Sequence, residues 1–313
     1  EKALVVGLME MYLEGVSTRK VTEVTEALCG TAFSKSTVSG LAGELDVDLA
    51  AWRDRRLDEV AYPYLVVDAR YEHVRIGGQV TSQGVLSVKG VREDGHRELL
   101  AVDVADTESE ATYDQLFRSL KERGLHGVQL VTSDDHRGLV AATFRHFQGA
   151  AWQRCYVHFL RNAGGKVARK HRKALTSDLK AVYAAPDAAW ALELARDVVE
   201  HWSDTHPALA RWIEEGIEAT LAHFSFPEAH RRKIRSTNGL ERFNQEIKCR
   251  TRVVRIFPSR EACLRLVTAL CVEQSEEWLS GKRYLDMSHL EPSENAALRT
   301  IPATESEEGD MAA

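Results

Sequence analysis

Two apolar runs that each close on an aspartate limit this chain more than any other feature. Tyr64, Leu65, Val66 and Val67 lead into Asp68, and residues 128–133 (Val-Gln-Leu-Val-Thr-Ser) lead into Asp134. A run that is apolar at nearly every position, rather than every second one, predicts a strand buried on both faces. Such a strand needs helices above and below it, so the chain reads as an α/β protein with a sheet between helical layers.

The flanking pattern extends this reading. Tyr64–Ala69 is expected as a central strand, and Glu72–Val80 alternates as a second. Leu86–Val91 and Glu98–Val104 flank Glu93-Asp94-Gly95, a hairpin-type turn. Thr107 and Glu110 have capping-box spacing for a helix with Tyr113, Leu116 and Leu120 inward and Gly124 as its stop. A strand at Val128–Thr132, a helix at Gly138–Phe147 and a short strand at Ala150–Gln153 follow. Three strands, helix, strand, helix, strand is the element order of an RNase H-like mixed sheet with helices on both faces.

Residues 159–235 lack β alternation. Lys180–Tyr183, Trp190–Trp202 and Leu209–Phe224 are apolar at intervals of three and four, as helices are. Further helices are expected at about 237–248 and at 259–278. Ahead of the sheet, residues 2–14, 17–30 and 35–45 have helical spacing, and Gly30 followed by the Ser/Thr-rich third stretch outlines a helix-turn-helix. Lys35, Ser36 and Thr37 would meet base edges or phosphates, although most helix pairs of this shape bind no DNA. The expected division is a helical segment 1–60, a sheet-forming core 61–158, an all-helical block 159–235, helices 236–285 that return to the core, and an acidic tail 286–313.

A net charge of −6 excludes a globally basic nucleic-acid binder, but the cations cluster. Residues 154–173 hold Arg154, Arg161, Lys166, Arg169 and Lys170 with no acidic residue among them, and residues 231–255 add Arg242, Lys248, Arg250 and Arg252. Solvated helix faces and a DNA track are both open readings of these stretches. The tail, with Glu305, Glu307, Glu308 and Asp310, reads as solvated and disordered. The 44% apolar content supports a core, and no run approaches the roughly 18 apolar residues of a membrane span. Five scattered cysteines without a Cys-x-x-Cys pair point to reduced thiols, and no charged-then-apolar leader indicates secretion. Glu1 falls within helical spacing, which suggests a fragment of a longer product.

A third acidic residue, Glu241, stands in the first turns of an expected helix, 236–244. Carboxylates at two strand exits and on a later helix form an oxygen-donor set suited to Mg²⁺ or Mn²⁺, and two such ions support phosphoryl transfer. For each carboxylate a plainer role competes: a turn cap for Asp68, and for Glu241 an exposed pair with Arg242 or Lys248. Cys155 and His158 form half of a zinc site, but no second pair with ligand spacing follows.

The phrases SDDHRGL, WQRCYVHFLRN, STNGLERFNQEIK and RTRVVRIFPS resemble, in sequence and order, the bacterial Mutator-like (IS256-type) DDE transposases. The resemblance runs from about Leu13 to Trp278. It implies an RNase H-like core whose first and fourth strands lie side by side, so that Asp68 and Asp134 meet, with Glu241 as the third metal ligand. It places the catalytic aspartate directly after Ser133, favouring Asp134 over Asp135, which is left as a helix N-cap. Cys155 and His158 match a family signature beside the active site, as local structure or DNA-proximal contacts. Asn238 and Asn244 would cap the helix or touch DNA, and His136 would touch the metal site or serve a polar loop. Departures are Asp135 and Arg255, where small residues are usual, and Cys249, where a basic one is. The implied activity is Mg²⁺-dependent cleavage at element ends and strand transfer into target DNA. The implied partners are terminal inverted-repeat DNA, target DNA and further copies of the chain, with a cytoplasmic, nucleoid-associated location and no membrane. The rival reading is a truncated or domesticated transposase that binds DNA without cutting it.

Overall fold

The structure, a computed structural model, describes residues 46–290. The expected recognition helix with Lys35, Ser36 and Thr37, and all but the first residues of the expected tail, lie outside the described residues. A helical stretch at 46–54 leads into a five-stranded mixed sheet. Its strands are β1 (Tyr64–Ile76), β2 (Gln79–Val91), β3 (Arg97–Ala105), β4 (Leu130–Ser133) and β5 (Ala151–Arg154), in the order β3-β2-β1-β4-β5. Helix α1 (Glu110–Glu122) joins β3 to β4, and α2 (Arg137–His146) joins β4 to β5. Five helices follow β5: α3 (Tyr156–Gly165), α4 (Arg172–Val182), α5 (Ala188–Ser203), α6 (Pro207–Gly216) and α7 (Glu228–Ile234). Two long helices, α8 (Asn238–Val254) and α9 (Arg260–Ser280), complete the chain of major elements.

The apolar run at the start of β1 is buried on both faces, as its composition requires. Leu65 and Val67 pack with α1 and α2, against Tyr113, Phe117, Leu139 and Ala142. Val66 points the other way, into a core with Leu240, Phe243 and Ile247 of α8 and Leu266 and Leu270 of α9. The helices after β5 hold a core of their own around Phe159, Leu179, Trp202 and Ile213.

β1 pairs antiparallel with β2 and parallel with β4, so the expected adjacency of first and fourth strands holds. The parallel register runs Tyr64↔Leu130, Leu65↔Val131, Val66↔Thr132 and stops there. Asp68 and Asp134 are each two residues beyond that last pair. Side chains alternate along a strand, so Asp68 continues on the Val66 face, while Asp134 directly follows the last residue of β4.

Several local expectations give way. Residues 72–76 continue β1 rather than opening a second strand, because the reversal comes at Gly77 and Gly78, whose φ values of 57° and 84° suit a tight two-residue hairpin. Asp68 therefore lies within a strand and not at its end. Ser109, not Thr107, caps α1, accepting from the Thr112 amide at 3.2 Å, while Thr107 offers its carbonyl to the Thr112 hydroxyl. The apolar spacing at 209–224 breaks at Gly216 into two short 3-10 turns. There Gln153 of β5 donates to the Thr220 carbonyl at 2.6 Å and takes that backbone out of helical bonding.

Candidate active site

Helix α8 is fastened to β1 by alternate residues of the strand. Asp68 accepts a hydrogen bond of 2.7 Å from the Asn244 side-chain amide. Arg70 donates to the Asn244 carbonyl and pairs with Glu72, which accepts from Thr251 at 3.3 Å. Beyond them Phe257, on the chain leaving α8, bridges to β1: its carbonyl accepts from the Arg75 amide and its amide donates to the His73 carbonyl. Positions 68, 70 and 72 share one strand face, and 244 and 251 lie seven residues apart on one helix face, so the two repeats match. This match sets the rotation of α8. Leu240, Phe243 and Ile247 turn to the sheet, and Glu241 meets α3.

Asp68 is 7% exposed. Burial pushes its carboxyl up to about 7; His158 opposes the rise, and the charges of Asp134 and Glu241 add to it. Asp134 is also held above the usual carboxylate range, by burial first and then by Glu108, with His158 and His136 opposing. The raised values describe carboxylates short of positive charge. Among the described residues, no three His, Cys, Asp or Glu side chains are already close enough to cage a metal ion.

Glu241 accounts for part of that. Its carboxylate is held by His158 Nε2 at 3.2 Å and Arg161 at 3.5 Å, both from α3, and not by Arg242 or Lys248. His158 is held above its ordinary value, chiefly by the Cys155 thiol, with Asp68 and Glu241 contributing. Cys155 is buried at the start of α3, and its sulfur accepts from the Thr237 amide and hydroxyl, both at 3.4 Å. Burial pushes the Cys155 thiol up, but His158 and Thr237 outweigh it and hold the thiol below its usual value. The Cys-x-x-His phrase thus joins the starts of α3 and α8, and through His158 reaches Glu241. No zinc-type cluster forms around it among the described residues.

The basic residues separate by surroundings. Arg154 is 7% exposed, pairs with Asp135 at 2.9 Å and lies over the rings of Phe159 and Trp212. Asp135 accordingly does not cap α2; His136 holds that position without a side-chain bond. Arg161 and Lys166 remain at the surface and, with Asp134, Arg154, His158 and Trp212, line a cavity of about 560 Å³. Arg169, Arg242, Lys248 and Arg252 are exposed, while Arg250 pairs with Glu246 at 2.9 Å. Asn238 is exposed at the first position of α8 and makes no cap of its own. His136 packs on the Tyr113 ring, and its charge acts on Asp134.

Two participants escaped the sequence reading. Glu108 lies within electrostatic reach of Asp134 and accepts from the Tyr113 hydroxyl at 2.9 Å. It sits inside the supposed capping box, which drew attention to its neighbours. Thr237 joins the Cys155 sulfur instead of capping α8.

A family model for the Mutator family of transposases matches residues 1–281. The transposase for insertion sequence element ISRM5 from Rhizobium meliloti is 48% identical over 299 residues, spanning 96% of this chain and 75% of that protein. The transposase for IS406 from Burkholderia multivorans is 43% identical, over 92% of this chain and 74% of its own length. The transposase for IS256 in transposon Tn4001 from Staphylococcus aureus is 37% identical, over 91% and 74%. Among solved structures, the Drosophila P element transposase strand transfer complex aligns with a TM-score of 0.37 at 10% identity, covering 92% of this chain and 82% of that one. With a family model matched over nearly its whole length and relatives this similar, the chain belongs to the Mutator family of transposases.

Proposed function

We propose that this chain is a DNA transposase that cuts at element ends and joins them to target DNA, with Asp68, Asp134 and Glu241 as ligands of two Mg²⁺ or Mn²⁺ ions. The observation that carries the reading is the convergence of Asp68 and Asp134 where the β1–β4 pairing ends, with both carboxyls raised by burial and by neighbouring negative charge. The donor set fits hard cations, being all oxygen. The buried Asn244 Oδ1, which has no hydrogen-bond partner, stands in the side chain that holds Asp68. When bound, such ions activate the attacking oxygen and stabilise the leaving one.

The protein's own residues position the reaction. Asn244 fixes the Asp68 carboxylate, and Arg70 with Glu72 and Thr251 fixes the helix that bears Glu241. Glu241 would join Asp68 and Asp134 as a ligand by exchanging His158 and Arg161 for the ion, which would leave Arg161 to a DNA phosphate beside Lys166. Water attacks the phosphodiester at the element end, and the freed 3′-hydroxyl then attacks target DNA, both as in-line displacements. The strand order and the helices between β5 and α8 agree with an RNase H-like core carrying an all-helical insertion. Inverted-repeat ends, target DNA and further copies of the chain are the partners of this reading, in the bacterial cytoplasm at the nucleoid.

The test is incubation of the chain with labelled element ends and Mg²⁺. Specific nicks followed by joined products support the reading. Tight binding without nicks under Mg²⁺ and Mn²⁺ alike would establish the rival, a DNA-binding derivative that does not cut.

A further inference from the structure

The β1–β2 hairpin runs past the rest of the sheet. β4 leaves β1 after Val66, and β3 joins β2 only from Gly84 onward, so residues 70–83 form an arm that reverses at Gly77 and Gly78. The chain leaving α8 adds a third strand at Phe257, which bridges to Val74 in parallel. One side of the arm is closed, since Val74 and Phe257 are buried in the core with α8 and α9. The other side is open. Side chains alternate along a strand and cross-strand partners share a face. Tyr71, His73 and Arg75 therefore stand beside Val80, the partner of Arg75, and Ile256, which precedes Phe257. All five are exposed, Tyr71, Val80 and Ile256 at 52%, 47% and 39%.

Charge decides what could cover this face. Residues 69–83 and 247–259 hold one acidic residue, Glu72, which is buried and paired with Arg70. The exposed ionisable side chains of the two stretches are basic, Arg75, His73 and Arg252 among them. Among the described residues no carboxylate is within ion-pair distance of these three. A fitting surface must be anionic and must also offer apolar edges to Tyr71, Val80 and Ile256. Duplex DNA offers both, phosphates on the outside and deoxyribose carbons along the groove walls. At its inner end the face starts beside the candidate active site: the Tyr71 hydroxyl meets Glu108, the carboxylate that acts on Asp134.

We propose that the open face of the β1–β2 arm is a docking surface for duplex DNA, with His73 and Arg75 on phosphates and Tyr71, Val80 and Ile256 on sugars. The occupant rests on the transposase reading above; the open basic face rests on strand register and exposure alone. Strand and duplex rise by nearly the same step, so a duplex lying along β1 is gripped about three to seven base pairs from Asp68. Contacts of this kind hold any sequence, so the arm steadies the duplex and leaves recognition of the end to other residues.

The test compares the full chain with Arg75→Gln and Val80→Glu on labelled duplexes of element-end and random sequence. Both side chains are exposed, so the melting temperatures should match that of the parent. Arg75→Gln should weaken both duplexes about 3- to 10-fold and lower the slope of log affinity against log salt by roughly one. Val80→Glu should weaken both by about 10-fold or more, because it sets a carboxylate against phosphates. Hydroxyl-radical footprints of either variant should lose protection about three to seven base pairs from the nick. Unchanged affinity and slope in both variants, with nicking by the parent, overturn the docking face and leave the transposase reading intact. Arg75-dependent binding without nicking in Mg²⁺ or Mn²⁺ keeps the face and sinks the transposase reading. A parent dimer that sedimentation detects without DNA, and that Val80→Glu dissolves while duplex affinity holds, makes the occupant a second copy and overturns DNA.

Discussion

One flank of α8 gathers carboxylates, and beside the first turn of the same helix a lysine is buried without a hydrogen-bond acceptor. On the Glu241 flank, Asp68 and Asp134 are held high by burial first, and then by neighbouring carboxylates, Asp134 and Glu241 for Asp68 and Glu108 for Asp134. On the Gly239 flank, Lys89 titrates low for the mirror-image reason. By contrast, the charges that hold α8 in place, Arg70 with Glu72, are paired. The difference separates charges that fasten the fold from charges that it leaves unpaired. Stability alone selects against the second kind, since apolar residues of similar volume would cost less.

The sharpest test of that separation is chemical. Asp68→Asn, Asp134→Asn and Glu241→Gln should each lower cleavage by roughly 10³-fold or more, as removal of charge stabilisation at a reacting phosphate does. Duplex affinity should stay within about threefold, because binding comes from cations. Ca²⁺ should support binding without nicking, since it takes more ligands at longer distances than Mg²⁺. A gel assay scores both properties, and a variant that loses binding together with cutting would break the division between chemistry and binding.

The second test is thermodynamic. Lys89→Met should stabilise the free protein by roughly 1–4 kcal/mol, the range seen when apolar groups replace buried charge. The sign follows from the titration. In the folded chain Lys89 loses its proton near 7. Unfolded, it keeps the proton to about 10.4. The unfolded state therefore binds more protons across that window, and parental stability rises with pH there. The gain from Lys89→Met should be full below pH 7 and fade as pH approaches about 10.4. Urea titrations at pH 6.5 and pH 9.5 measure it, and an equal gain at both would mean that Lys89 is not the strained charge.

A smaller effect concerns a charge that already has its partner. Asp135→Ala leaves Arg154 buried and unpaired, at a cost of about 1–2 kcal/mol. The cost is reduced from that of a fully buried pair because the Asp135 side chain is 47% exposed. Cleavage should persist, since Asp135 is tied to Arg154. Lost cleavage with normal melting would return Asp135 to the candidate ligands in place of Asp134.

The smallest effect lies at the far end of α8. Arg255 has φ 61° and ψ −51°, and the Ile256 amide donates back to Val254 at 2.7 Å, a tight γ-turn that L-residues rarely adopt. The sequence reading marked this position as one where a small residue is usual. Arg255→Gly should stabilise by about 0.5–1 kcal/mol, with neither flank affected. Thermal melting checks it, and a loss of duplex affinity would show that the Arg255 side chain serves DNA instead.

Much of the candidate site was legible because its residues sit in strongly patterned segments. Asp68 and Asp134 close apolar runs, and Glu241 stands between Leu240 and Phe243, which the helical period sends to the core. Illegible were the partners. Nothing in the spacing says that Glu241 would lean on His158 and Arg161, that Asp135 would turn to Arg154, or that Lys89 would face Gly239 across α8. The capping of α1 was misread for a related reason, since Thr107, Ser109 and their neighbours offer competing local bonds and geometry selects among them.

Residue by residue, the sequence determined which segments are buried on two faces, which reverse at glycines, and which helices keep an apolar stripe, because these follow from local sterics and hydrophobic period. Only tertiary structure decided which charges meet. That depends on the parallel register of β1 with β4, and on the rotation of α8 set by Asp68, Arg70 and Glu72 against Asn244 and Thr251. Electrostatic pairing acts over a few ångströms between residues as far as 176 positions apart. No local period encodes that distance, so the carboxylates beside α8 and the lysine buried at its first turn meet their neighbours only once the chain has folded.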